Sequence, residues 1–236
     1  MSVRDTEHVA IPLVCEGCAA RHDGICSALT PVELLALASH TRHTRHDAGE
    51  ALALESSEIT GYANVTGGVV KLSRVLQDGR QQLVGLQFAP DLMGRLYGRE
   101  NLLTAEAASD VELCRIPKAI FEALVASSSA LKLRLLNQSL QDLDEARDWM
   151  VTLGRKTASE KVASVLLLIA QRSARGNKRV TFELPLGRAD MADFLGLTIE
   201  TVSRQISKLR HEGIVVVTNH RHIEVPDIEA LRRRAG

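Results

Sequence analysis

The stretch from Leu186 to Val215 most constrains the fold, because two short helical patterns are joined there by a single glycine. Ala189 to Leu195 reads as an amphipathic helix with Met191, Ala192 and Leu195 inward. Gly196 ends it, since glycine accepts the left-handed conformation a helix terminus needs. Thr198 then caps a second helix by accepting backbone N–H groups. In that helix Val202, Ile206 and Leu209 fall on one side at i, i+4 and i+7, while Glu200, Ser203, Arg204 and Ser207 share another. After Gly213, Ile214 to Val217 reads as a strand, Thr218-Asn-His-Arg as a turn and His222 to Val225 as the returning strand. Two helices followed by a hairpin make a winged helix-turn-helix.

The spacing fits a helix that reads DNA. One face must be apolar to seat the helix, and the other must present short polar or forked groups to base edges. Arg204 can donate two bonds to guanine, and Glu200 can accept from a cytosine amino group. Ser203 is short enough to touch a base. These three are the predicted base contacts on double-stranded DNA. Thr198, Ser207 and Lys208, with Arg210 beside them, suit phosphates, which set affinity more than sequence. The charge distribution agrees. The 236 residues balance 29 Lys+Arg against 29 Asp+Glu, yet residues 1–154 carry 14 and 20, and residues 155–236 carry 15 and 9. A net −6 portion thus precedes a net +6 one, as when only the C-terminal part meets a polyanion.

Upstream, Thr30-Pro31 is a cap and first-turn signal for a helix through Ala38. From about Arg45 to Pro117, short strand-like runs alternate with turns at Gly49-Glu50, Gly61, Gly67-Gly68, Asp78-Gly79 and Gly85. Val70 to Ser73 and Gln82 to Leu86 alternate as half-buried strands do, and Asp78-Gly79 between such runs is a hairpin signal. Many short strands at this spacing predict an antiparallel roll. Ala119 to Gly154 then reads as one helix. Leu133, Leu136, Leu140, Leu143 and Met150 follow three- and four-residue steps interrupted by Arg147. So narrow a stripe suits a helix pair, with packing on the chain's own roll as the alternative. The fold class is therefore α+β. Residues 1–27 are cysteine-rich, 28–118 form the roll, 119–154 the long helix and 155–236 the winged helix-turn-helix. Ser173 to Lys178 is read as a loop and Val180 to Leu184 as a strand.

Cys15-x2-Cys18-x7-Cys26 puts three thiols in a short segment expected to be irregular, with Cys114 far away on a predicted strand. In a reducing compartment such clustering favours metal over disulfides. Four thiolates suit an iron–sulfur cluster or zinc, and redox-active or merely buried thiols remain open. Cys114 taken alone reads as core rather than ligand, because alternation sets it opposite Leu113 and Arg115 and a lone strand cysteine is more often core. His40, His43 and His46 do not share one face of a helix or strand and are expected to be solvated. No run approaches the roughly 20 apolar residues of a membrane span. Met1 to His8 lacks the apolar core of a secretory signal, so a cytoplasmic protein is expected. No G-x4-G-K-[ST], H-E-x-x-H or G-x-S-x-G appears, and an enzyme is not expected.

Over nearly its whole length the chain resembles the CRP/FNR family of bacterial regulators. The resemblance is carried by the roll with its Gly49-Glu50 and Gly67-Gly68 turns, the long helix, and Leu195-Gly-Leu-Thr-Ile-Glu-Thr-Val-Ser-Arg. It implies that Glu200, Ser203 and Arg204 contact a TTGAT-type half-site, in a TTGAT-N4-ATCAA-like palindrome read by a homodimer paired through Leu136, Leu140, Leu143 and Met150. Cys15, Cys18, Cys26 and Cys114 are similar to the four ligands of the oxygen-labile [4Fe–4S] cluster of FNR-type members, with the C-x2-C-x7-C spacing of the FnrN/FnrL type. Asp142, Asp144, Glu145 and Asp148 would oppose pairing until the cluster biases it. The loop at Asp78-Gly79-Arg80 would meet RNA polymerase. Asp91 to Glu100 lacks the phosphate-binding Arg-Ser/Thr pair of cyclic-AMP-binding relatives, so no cyclic nucleotide is expected, although Arg95 and Arg99 can meet an anion. The implied function is an oxygen-responsive activator. The alternative is a regulator sensing a small effector in the roll, its thiols holding Zn²⁺ or acting as a redox switch.

Overall fold

The computed structural model describes residues 11–173, 179–219 and 221–236. The readings of Met1 to His8, of most of the Ser173–Lys178 loop and of His220 in the wing turn lie outside them. The chain opens with helical turns α1 (Leu13–Glu16) and α2 (Ala19–His22) and a 3-10 turn at Ile25–Ala28, followed by α3 (Pro31–Ala38). Thr30 caps α3 with a full capping box: Glu33 N donates to Thr30 Oγ1 at 3.3 Å, and Thr30 N donates to Glu33 Oε2 at 2.8 Å. The expectation of an irregular cysteine segment is thereby corrected. The segment closes short helical turns, with Cys18 N donating to Cys15 O at 3.4 Å, Asp23 N to Ala19 O at 2.9 Å and Ser27 N to Gly24 O at 3.3 Å, while Ala20 and Ile25 are buried.

Eight strands then build the roll: β1 (Arg42–His46), β2 (Ala51–Ala53), β3 (Gly61–Gly67), β4 (Val69–Val75), β5 (Gln81–Phe88), β6 (Leu92–Met93), β7 (Thr104–Ala107) and β8 (Val111–Pro117). They lie in two sheets ordered β1-β8-β3-β6 and β2-β7-β4-β5, the pairings antiparallel wherever register is defined. The β4–β5 hairpin turns at Asp78-Gly79, with Gly79 at φ 85°. Along β8, Val111, Leu113 and Ile116 are buried while Cys114 and Arg115 are half-buried, so the simple alternation slips by one residue near Cys114.

The helix expected over 119–154 is two: α4 (Lys118–Ser127) and α5 (Ser129–Arg155). Ser128 leaves helical geometry at ψ 110° and is buried. The break turns the chain so that Phe121 and Val125 of α4 and Leu131 of α5 enter one core. Next come α6 (Ala158–Ser173), β9 (Val180–Glu183), α7 (Arg188–Leu195), α8 (Ile199–His211), β10 (Val216–Thr218), β11 (His222–Val225) and α9 (Ile228–Ala235). β10-β11-β9 form an antiparallel sheet. The wing strand starts two residues later than the sequence pattern suggests. Ile214 N instead donates to Leu209 O at 3.0 Å, closing the end of α8 before the strand begins.

The chain divides into two compact units, residues 1–71 with 86–140, and residues 72–85 with 141–236. The first is centred on Leu34, Ile59, Tyr62, Ile116, Phe121 and Leu131. Tyr62 and Phe121 stack at 5.0 Å, and the Tyr62 hydroxyl donates to Glu122 at 2.7 Å. The second is centred on Val162, Leu166 and Ile169 of α6 with Leu195, Val202 and Leu209, all essentially inaccessible. Trp149 packs against Phe194 at 4.5 Å, an inward residue of α7 that the sequence reading left out. No helix among the described residues is long and apolar enough to cross a membrane.

Candidate DNA-reading helix and thiol pocket

α8 is seated through Val202, Ile206 and Leu209, which are buried as their spacing requires. Gly196 at φ 61° closes α7, and the Leu197 N–H reaches back to Ala192 O at 3.1 Å. An added side chain at Gly196 would meet nothing within 4 Å, so the left-handed backbone alone calls for glycine. Thr198 Oγ1 accepts from Thr201 N at 3.2 Å as the cap. The structure brings Glu200, Arg204, Ser207 and Lys208 out to solvent on the open side of α8, with Ser203 half-buried among them. Hydrogen bonds from its own N–H and from the Thr198 hydroxyl hold the Glu200 carboxyl below the usual carboxylate range. It is therefore ionised and acceptor-only at neutral pH. Arg204 Nη2 lies 3.4 Å from Thr201 Oγ1, a contact that points the guanidinium along the helix. Lys208 is within 3.9 Å of Glu212, an exposed pair that a phosphate can displace at little cost. Exposed Ile199 and Arg221 at the wing turn join the same unit, and neither was singled out in the sequence.

The four cysteines meet. Cys15, Cys18, Cys26 and Cys114 line one cavity of about 380 Å³ including its open mouth, with Arg21, Thr41, His43, Asn64 and apolar Leu34, Leu37 and Ile116 around them. Cys26 is buried and the other three are half-buried. Burial, and then the proximity of Cys114, Cys18 and Cys15, push the Cys26 thiol up to about 12. Burial likewise pushes Cys114 to about 11, with Cys18 and Cys15 adding and a hydrogen bond to Thr41 opposing. Cys15 is raised by burial and by Cys18 against the pull of Arg21. Thiols crowded this way release protons when a metal binds. Asn64, essentially inaccessible, donates Nδ2 to Cys26 Sγ at 3.7 Å, and its Oδ1 has no partner among the described residues. Amide donors to sulfur are one means by which proteins tune iron–sulfur centres. Arg21, Thr41 and Asn64 carried no signal in the sequence, since the pocket is assembled from segments far apart. No three His, Cys, Asp or Glu side chains among the described residues converge as a single ion demands.

His40 and His43 are exposed as expected, but His46 is not solvated. Its Nδ1 is 2.7 Å from Glu50 and its Nε2 3.0 Å from Thr44. β1 presents His46 to the opposite side from His43, where Arg115 of the paired strand closes the network at 3.4 Å. On α5, Leu133, Leu136, Leu140, Leu143 and Met150 are all exposed, joined by Val151, which the sequence reading omitted. Of the crowded acids, Asp144 is paired with Arg147 and Glu145 with Arg172, both at 3.1 Å. The repulsion expected along this helix is therefore smaller than the bare sequence implies. Arg95 and Arg99 are exposed rather than enclosed in a phosphate cradle.

A capped reading helix with a wing, joined to an antiparallel roll by a long helix, defines a DNA-binding transcription regulator. The family model for the Crp-like helix-turn-helix domain matches residues 160–234, and that for the cyclic nucleotide-binding domain matches residues 43–128. A probable transcriptional activator of Rhizobium leguminosarum is 48% identical over 94% of this chain and 93% of the relative. The transcriptional activator protein FnrL of Cereibacter sphaeroides is 37% identical over 94% and 92%. The solved structure of FixK2 from Bradyrhizobium japonicum aligns with a TM-score of 0.76 at 30% identity, covering 83% of this chain and 98% of that one. The chain belongs to the CRP/FNR family of transcription regulators.

Proposed function

We propose that the chain is an oxygen-responsive activator that reads a TTGAT-N4-ATCAA-like palindrome as a homodimer. The observation that carries the reading is the meeting of Cys15, Cys18, Cys26 and Cys114 in one cavity although β8 lies about 90 residues beyond the first three. These four residues would hold a [4Fe–4S] cluster, with Asn64 donating to the Cys26 sulfur and Arg21 offsetting thiolate charge. When bound, the cluster supplies an oxygen-labile cross-link between the N-terminal segment and the roll. The protein's own part is to fix α5 so that Leu136, Leu140, Leu143 and Met150 can pair across a two-fold axis. Pairing sets two α8 helices about one DNA turn apart, so that Glu200, Ser203 and Arg204 of each copy read one half-site. The similarity to the transcriptional activator protein FnrL supports activation. RNA polymerase would be met through the exposed Asp78–Arg80 turn, where the two side chains are paired at 2.8 Å.

Isolation under anaerobic conditions tests the reading. A brown protein containing iron and sulfide, losing absorbance and site-specific binding in air, is the expected result. A colourless zinc protein indifferent to air would overturn it. The match of residues 43–128 to a cyclic nucleotide-binding domain favours effector binding in the roll as a second reading. A thermal shift on adding a cyclic nucleotide would support that one instead.

A further inference from the structure

α5 has two faces with different tasks. Leu133, Leu136 and Leu140 are exposed on one, whereas Leu131 is fully buried and Leu135 half-buried on the other. The buried pair joins the core cluster that contains Ala20, Ile25 and Cys26, with Cys15 and Cys18 packed against it. Between Leu131 and Leu135 stands Arg134. Its Nε donates to Gly24 O at 3.2 Å and its Nη2 donates to Asp23 O. Asp23 is the C-cap of α2, so the guanidinium sits where a helix end exposes carbonyls and favours positive charge. The Gly24 carbonyl also receives Ser27 Oγ at 2.7 Å.

The backbone at that point has little room to give. A Cβ at Gly24 would lie 2.8 Å from Ala20 Cα and 2.9 Å from Ala20 O. The stretch Asp23-Gly24 lies between Cys18 and Cys26, two of the four pocket thiols. A shift in the packing of either cysteine therefore moves the carbonyls that Arg134 holds. Apolar contacts at Leu131 and Leu135 tolerate small slides, but a two-donor fork loses its bonds when the acceptors rotate.

We propose that Arg134 is the positioning residue through which the packing of the cysteine segment is transmitted to α5 and its exposed leucine face. The proposal rests on the thiol pocket being the signal site, and it adds the connection from that site to the dimer helix. Its test uses the metal-free chain, so iron content and this connection succeed or fail separately. Hydrogen exchange is followed in residues 136–147 of α5. Gly24→Val, which displaces the carbonyls, is compared in the native background and with Arg134→Met, which keeps the apolar stem. With Arg134 present, exchange in 136–147 should rise about tenfold, the low end of what one charge-assisted hydrogen bond contributes. With Met at 134 the same Gly24→Val change should alter it by less than about twofold. An equal rise in both backgrounds, or no rise in either, would overturn the proposal. If Gly24→Val prevents folding, Gly24→Ala gives the same comparison, since its Cβ meets the same Ala20 backbone.

Discussion

Leu140→Ala puts the proposed pairing of α5 to a quantitative test. Leu140 is 51% exposed, so about half of its side chain is already covered within one protomer and half is free for a partner. Removing three carbons forfeits about 2.4 kcal/mol at about 0.8 kcal/mol per buried methylene, of which about 1.2 belongs to the free half. A two-fold interface counts the change twice, so the dimer should lose about 2.4 kcal/mol and its dissociation constant should rise about 50-fold. The covered half takes about 1.2 kcal/mol from each protomer's own fold, and thermal unfolding reads that separately. Sedimentation equilibrium across a concentration series, on anaerobically prepared protein, measures the constant. Gln141→Ala serves as the control, because Gln141 is exposed but lies away from the leucine stripe. It should leave the constant within about twofold, as surface changes outside an interface usually do. An unchanged constant for Leu140→Ala, or equal effects of both changes, would refute pairing through this face.

The remaining expectations concern the reading head and the pocket. Arg204→Lys keeps the charge but loses the fork, so discrimination at one base pair should fall by about 1–3 kcal/mol while the salt dependence of binding is unchanged; competition against single-base site variants measures it. Leu209→Ala empties a fully buried position under α8 and should cost the C-terminal unit about 3 kcal/mol in urea unfolding. Gly196→Ala meets no steric obstacle, so its cost should be the backbone term alone, about 1 kcal/mol, and Gly196→Asn should recover part of it. Cys114→Ala should bring iron in anaerobically isolated protein down to background. It should lower the thermal midpoint of the metal-free chain by less than about 5 °C, because a half-buried sulfur contributes little to packing.

What the sequence determined by itself was whatever depends on near neighbours along the chain. The turn at Gly196, the cap at Thr198 and the two faces of α8 are encoded within a few residues, because helical periodicity and capping are local. The Thr30 capping box and the Asp78-Gly79 hairpin were legible for the same reason. Even the leucine stripe of α5 could be read, although not the break at Ser128, which is set by Phe121, Val125 and Leu131 entering a common core. Only tertiary structure decided how Cys114 stands. Along β8 it is an ordinary half-buried residue, and it becomes one of four pocket thiols because the roll lays β8 beside the segment holding Cys15, Cys18 and Cys26. Arg21, Thr41 and Asn64 acquire their places in the same way, as does Arg134 at the carbonyls of Asp23 and Gly24. Those meetings span tens of residues of chain, and no periodicity records them: they follow from which apolar faces are buried together.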